Sequence, residues 1–304
     1  MQEVFNKYIN YLEAERNASP YTVRNYTTDL LHFFQFLKAK GVDSLKEVDK
    51  HILRDYLSYV MEQGFVKASI ARKLSAIRSF YRYLQREEII STNPVATASS
   101  PKLDKRLPSF LTIDEVERLL EAPDLSKPQG QRDRALMELL YASGLRVSEL
   151  VSLNLERVNL DNGEIRVRGK GSKERMVLMG KPAIRALNDY LSQGRPRFLG
   201  GKRSSALFLN PDGGRLSERS VESILGKYAS IAGIEKRVHP HMLRHTFATH
   251  LLDGGADLRV VQELLGHASL SSTQIYTHVT QSQARKVYLS AHPMARKKDN
   301  EPEE

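Results

Sequence analysis

Arg146 stands in the run YASGLRVSELVSLN, where Gly144 permits a tight turn and Val147, Leu150 and Val151 begin a new apolar period. That places Arg146 at a helix start, among backbone N–H groups able to hold an anion. The ordinary alternative is an arginine paired with a carboxylate such as Glu149 on a half-exposed face. In HPHMLRHTFATHLL, Pro240 fits a first helical turn, so His241 and Arg244 share a face and Met242, Leu243 and Phe247 are left to pack. An arginine offers phosphate a rigid two-pronged donor, and a histidine moves protons near neutral pH. In VVQELLGHASLSSTQIYTHV, Gly266 should end a helix and leave His267 on a loop, with Tyr276 nine residues on (276 − 267 = 9) in a short helix that begins at Ser271 or Ser272. Taken singly, Tyr276 reads as a packing aromatic, one of 13 tyrosines.

Two other chemistries can be weighed on residue types. The chain has no cysteine, which excludes disulfides, thiolate catalysis and Cys-ligated metal. His241 and His245 have the four-residue spacing of a zinc pair but lack the glutamate of H-E-x-x-H, so no metal is expected; His245 and His250 read as structural, hydrogen-bonded histidines.

The elements that must position these residues follow from periodicity. Phe5, Tyr8 and Leu12 mark a first helix; Ser19-Pro20 caps a second carrying Val23, Tyr26, Leu30, Phe33 and Leu37, which Gly41 closes. Asp49 caps a third helix bearing Ile52, Tyr56 and Val60. Ser69 opens a fourth bearing Leu74, Ile77, Phe80 or Tyr81, and Leu84. Residues 67–86 hold Lys67, Arg72, Lys73, Arg78, Arg82 and Arg86 without one acid, so a basic outer face is expected there, with Lys67, Arg72, Lys73 and Arg78 as candidate DNA contacts. The proline-containing, aperiodic stretch near residues 93–109 reads as a linker between an all-α domain (1–92) and a second domain (110–293), with a polar tail at 294–304. Thr112 and Glu115 form a capping box at the start of the second domain. Glu164–Arg168 and Arg175–Met179 alternate on either side of Gly169-Lys170-Gly171, a β-hairpin with Lys170 at its tip. Later helices are expected at 182–193, 217–231, 240–253 and 257–265.

Lys and Arg number 46 against 36 Asp and Glu, a formal net charge of +10, which makes a polyanion a plausible partner without proving one. No stretch approaches the ~20 apolar residues of a membrane span, and the N-terminus is not a secretory signal, so the cytoplasm is the expected compartment.

In combination and in this order, G-L-R-V-S-E-L around Arg146, the hairpin Lys170, H-M-L-R-H from His241, L-G-H-A-S at His267 and I-Y-T-H-V around Tyr276 resemble the active-site set of the tyrosine site-specific recombinases, the phage-integrase family. The S-P-Y-T-V-R-N-Y segment resembles that family's core-binding domain, and total length resembles the Xer recombinases, in either of their two branches. The resemblance implies a mainly α fold: an all-α core-binding domain and an α+β catalytic domain with a small β-sheet, closing as a C-shaped clamp on DNA. It implies that Tyr276 attacks the scissile phosphate to give a 3′-phosphotyrosyl link. Arg146 and Arg244 would clamp the non-bridging oxygens with help from His267, Lys170 would protonate the leaving oxygen, and His241 would take the tyrosine proton. No cofactor or metal is implied. The implied partners are double-stranded DNA at a specific site, a tetramer on two duplexes (alone or with a paralogue), and a septal DNA translocase, in the resolution of chromosome dimers. A type IB topoisomerase and a non-catalytic DNA-binding protein are the competing readings.

Overall fold

The computed structural model describes residues 1–16, 18–96, 109–168, 174–266 and 281–296. Lys170, His267, Tyr276 and the short helix expected around it, much of the linker and the end of the tail lie outside them. The chain divides into two compact units, Met1–Arg106 and Leu107–Glu304.

The described residues of the first unit form four helices around an aromatic-rich core. Helix α1 (Gln2–Ala14) buries Phe5, Tyr8 and Leu12, the stripe that the periodicity predicts. Helix α2 (Pro20–Ala39) starts where Ser19 Oγ accepts the Thr22 N–H at 3.1 Å, and it buries Val23, Leu30, Phe33 and Leu37 while Tyr26 is half-buried. Helix α3 (Lys50–Glu62) is capped by the Asp49 carboxylate, which accepts the His51 and Ile52 N–H groups at 2.8 and 2.9 Å. Helix α4 (Lys67–Arg86) begins at Lys67 after Val66, two residues ahead of the expected Ser69, and buries both Phe80 and Tyr81.

One expected DNA contact on α4 is corrected. Lys73 is only 3% exposed: its Nζ lies 3.4 Å from Asp29 Oδ1 and 4.6 Å from the Phe65 ring centre. Asp29, fully buried on α2, takes Arg72 Nη1 on its other oxygen at 2.6 Å. A buried carboxylate demands opposite charge, and it draws Lys73 inward over the Phe65 ring. Lys67 stays exposed, and Arg72 and Arg78 are half-buried.

The second unit opens with α5 (Ile113–Glu121), whose start has the expected reciprocal box: Thr112 Oγ1 accepts the Glu115 N–H at 3.2 Å and Glu115 Oε2 accepts the Thr112 N–H at 2.7 Å. Helix α6 (Pro128–Ser143) runs through the centre and is buried continuously from Ala135 to Ser143. After α7 (Val147–Ser152) comes an antiparallel three-stranded sheet, β1 (Val158–Asn159), β2 (Glu164–Arg168) and β3 (Glu174–Leu178), in that order. The β2–β3 register ends at Arg168 opposite Glu174, so residues 169–173 connect the hairpin. The helix expected at 182–193 is instead α8 (Lys181–Asp189), one π-helical turn at Tyr190–Gly194, and α9 (Arg195–Leu199). The remaining helices are α10 (Glu218–Ile231), α11 (Pro240–Asp253), α12 (Leu258–Leu265), α13 (Gln281–Ala291) and α14 (Pro293–Arg296). Helix α11 joins two apolar clusters: Met242 and Leu243 belong to the main core, while Phe247 and Leu251 pack with Val260, Val261, Leu264 and Leu265 of α12 and with Tyr288 of α13. Met294 is buried in the main core, so the packed chain runs past the expected edge at 293. The mainly α architecture with a small sheet is thus as expected.

Candidate active site

Arg146 is placed by a helix end and a helix start. Gly144 ends α6 with φ +58°, and a Cβ there would lie 2.5 Å from the Phe247 ring, so a left-handed turn against an aromatic ring requires glycine. Two residues later Arg146 is the N-cap of α7. Its own N–H, which the sequence left open for an anion, donates to Glu149 Oε2 at 2.9 Å. Its side chain, 39% exposed, donates Nη1 to Glu149 Oε1 at 3.0 Å and directs Nη2 toward the Gly266 carbonyl at 3.5 Å. The pairing with Glu149 that the sequence offered as the ordinary alternative therefore exists, on one terminal nitrogen of the guanidinium.

Arg244 is placed by the first turn of α11. Pro240 is buried, and His239 Nδ1 accepts the Met242 N–H at 3.2 Å, which caps the helix and leaves the ring proton on Nε2. Nothing in the sequence reading singled out His239; its signal is a polar side chain directly before a proline at a helix start. Arg244 donates Nη1 to the Gly144 carbonyl and Nη2 to the Leu265 carbonyl at 2.6 Å. His241, three positions earlier, is exposed, and its ring lies 6.4 Å from that of His239. His250 is buried with Nδ1 2.8 Å from the Tyr141 hydroxyl, a structural histidine as expected. His245 is half-buried beside the Phe110 ring.

The two arginines thus reach carbonyls at the C-terminal end of α12, Arg244 that of Leu265 and Arg146 that of the cap residue Gly266. A helix C-terminus carries partial negative charge and favours cations, and Gly266, with φ +65°, turns the chain there just before His267. The third cation is Arg175 on β3, which donates Nη1 and Nη2 to Glu149 Oε1 and Oε2 at 2.7 and 2.9 Å. Burial pushes the Glu149 carboxyl up, but hydrogen bonds from Arg175 and from the Arg146 backbone outweigh it and hold the group below its ordinary range. Burial, and then the charge of Arg146, bring the Arg244 guanidinium down to about 10, against the pull of Glu149. Three guanidiniums around one carboxylate leave net positive charge, so an incoming phosphate dianion or diester would relieve repulsion as well as accept hydrogen bonds. Among the described residues no group of three or more His, Asp or Glu side chains is placed to hold a metal ion.

A family model described as the phage integrase family matches residues 109–283, more than half of the 304 and a span that contains every position from Arg146 to Tyr276. The chain belongs to the phage integrase family. Phage integrases also have an N-terminal SAM-like domain, whose model matches residues 5–88 of this chain. Within the family the chain is 49% identical over 300 residues to a tyrosine recombinase XerC of Pelotomaculum thermopropionicum, covering 96% of this chain and 98% of that one. It is 43% identical to a tyrosine recombinase XerD of Staphylococcus epidermidis, covering 97% and 100%. Among solved structures it resembles the XerH site-specific recombinase bound to a palindromic difH substrate in a post-cleavage complex, with TM-score 0.70 and 28% identity over 90% of this chain and 77% of that one. This phage integrase is a tyrosine recombinase of the Xer type, an enzyme of DNA cleavage and religation.

Proposed function

We propose that Tyr276 is the nucleophile of this recombinase and that Arg146, Lys170, His241, Arg244 and His267 assemble around the phosphate it attacks. The observation that carries the reading is the convergence of two guanidiniums, Arg146 and Arg244, on the carbonyls of Gly266 and Leu265, next in the chain to His267. In the forward step Tyr276 Oη bonds to phosphorus as the bond from phosphorus to the 5′-oxygen breaks, giving a 3′-phosphotyrosyl link and a 5′-hydroxyl. The tyrosine proton passes to His241, and Lys170 supplies the proton to the leaving oxygen. A free tyrosine titrates near ~10, and the surrounding positive charge favours its phenolate. Arg146 and Arg244 hold the non-bridging oxygens and His267 adds a hydrogen bond, so the charge stabilisation comes from the chain's own cations. A 5′-hydroxyl from a second duplex reverses the step and seals a recombinant strand.

The same reading assigns residues 1–92 to core binding, 93–109 to a linker, and 110–293 to catalysis, with the catalytic core extended to take in Met294. It is supported by the two compact units and by the separate family matches at 5–88 and 109–283. Lys67, Arg72 and Arg78 remain the DNA-contact candidates of the first unit; Lys73 is withdrawn. The partner is a specific duplex site, bound by four protomers with or without a paralogue. The setting is chromosome-dimer resolution in the cytoplasm, in concert with a septal translocase. No described helix is long and apolar enough to cross a membrane.

The test is strand exchange between two duplexes bearing the sequence that the protein protects in a footprint on genomic DNA. Holliday junctions should accumulate when paired sites are present. Relaxation of supercoils without junctions would replace the recombinase reading by a topoisomerase.

A further inference from the structure

Arg175 stands at the second position of β3, and the chemistry proposed above gives it no task. Its side chain is held on both terminal nitrogens, while its Nε is buried without a partner among the described residues. Its fork covers both oxygens of Glu149 at 2.7 and 2.9 Å, and its side chain is 16% exposed. Its stem lies so close to Gly266 that a Cβ on that glycine would be 2.9 Å from Arg175 Cδ. Glu149, itself only 6% exposed, also receives the Arg146 N–H and Arg146 Nη1. One carboxylate therefore accepts four hydrogen bonds, which fills the roughly four lone-pair sites it has.

We propose that Arg175 is a positioning residue that keeps Arg146 available to the scissile phosphate, by saturating Glu149 on both oxygens and by bracing Gly266, whose carbonyl lies under Arg146 Nη2. This rests on the assignment of Arg146 to the phosphate. A carboxylate and a guanidinium left alone in a buried site close into a two-pronged pair. Arg175 occupies that fork. Arg146 consequently spends one side-chain nitrogen on Glu149 and leaves the rest of its guanidinium free of the carboxylate. Without Arg175, Glu149 would be a buried anion with open lone pairs, and its nearest remaining partner would be Arg146. The guanidinium would turn onto Glu149, leave the end of α12 and lose much of its charge to the carboxylate. A lysine at 175 would keep a charge but, as a point donor, could not cover both oxygens. Because Arg175 follows the 169–173 connection in β3, it also ties the base of the Lys170 hairpin to α7.

The test uses the full-length protein in single-turnover cleavage of a nicked duplex bearing its protected site, with the scissile group either a phosphodiester or a methylphosphonate. Replacing one non-bridging oxygen by methyl removes the negative charge that Arg146 is assigned to neutralise. Arg175→Ala and Arg175→Lys should each cleave the phosphodiester about a hundredfold more slowly than the wild type, the loss typical of one missing transition-state contact. On the methylphosphonate both should come within about threefold of the wild type. Arg146→Ala is the reference and should show the same rescue. Arg175→Lys preserves the charge and the stem, so it keeps the test usable should the alanine variant not fold. If both substrates slow equally, Arg175 has only a structural role and the proposal is overturned; full activity in Arg175→Lys overturns it as well. If Arg146→Ala is rescued and the Arg175 variants are not, this inference alone fails. If Arg146→Ala is not rescued, the assignment of Arg146 fails and takes the inference with it.

Discussion

At the scale of single residues, the site draws its charge from arginines that the fold holds by their hydrogen-bonding edges. Arg146 and Arg244 were legible because each sits in a pattern that marks a helix start, and residue type says what such a group can do to phosphate. Arg175 was not singled out, although the alternation of Arg175-Met176-Val177 already put it on the core-facing side of β3 with Val177; a charged residue on that side implies a buried counter-charge. Glu149 was legible only as a possible surface partner, since nothing local in the sequence says that a carboxylate will be buried among three cations. His292 carries no local sequence signal of its burial. It is fully buried between Tyr288, Tyr141 and Phe247, with ring centres at 5.1, 4.9 and 5.6 Å, and burial brings its pKa down to about 3. A histidine titrating lower in the folded than in the unfolded chain adds stability that is complete above about pH 6.5 and lost as pH falls toward 3. Urea denaturation at pH 7.5 and 5.5 should show the wild type losing about 1.4 kcal/mol more over that interval than His292→Phe, which keeps a ring in the stack. Equal losses in the two proteins would mean that His292 is protonated in the folded chain.

At the scale of elements, apolar periodicity located most helices to within a residue or two because burial on one face repeats along the chain. It failed where a local feature intervened. The π turn at Tyr190–Gly194 splits one expected helix, and it is held by tertiary partners: the Tyr190 hydroxyl accepts the Leu209 N–H at 3.1 Å, and Gly194 packs against Gln131. In α4 a run of cations without acids suggested a uniformly basic outer face, because the compensating Asp29 lies on another helix, beyond any local pattern. Burial lowers the pKa of Lys73, and Asp29 works against that. Lys73→Met should therefore lower the stability of the first unit by about 3 kcal/mol, the cost of stranding a buried carboxylate with one partner fewer. Exposed Lys67→Ala should reduce the salt dependence of DNA binding by about one unit of slope. Denaturant titrations paired with binding at several salt concentrations check both. A Lys73→Met protein of normal stability and reduced salt slope would restore Lys73 to the surface.

At the scale of the whole molecule, the two-unit organisation was legible from a change in pattern around the prolines near residues 93–109, and the reaction class from six residues in order. The DNA sequence recognised was not legible, because base readout depends on how side chains meet groove edges and not on their identity alone. The central claim is that Tyr276 becomes covalently joined to DNA. Incubation of the full-length protein with a duplex nicked beside the scissile phosphate, followed by denaturing electrophoresis and peptide mapping, measures this directly. The wild type should form a 3′-linked adduct on the peptide containing Tyr276, and Tyr276→Phe should form none while binding the same duplex. An adduct that persists in Tyr276→Phe, or that maps to another residue, would contradict the account.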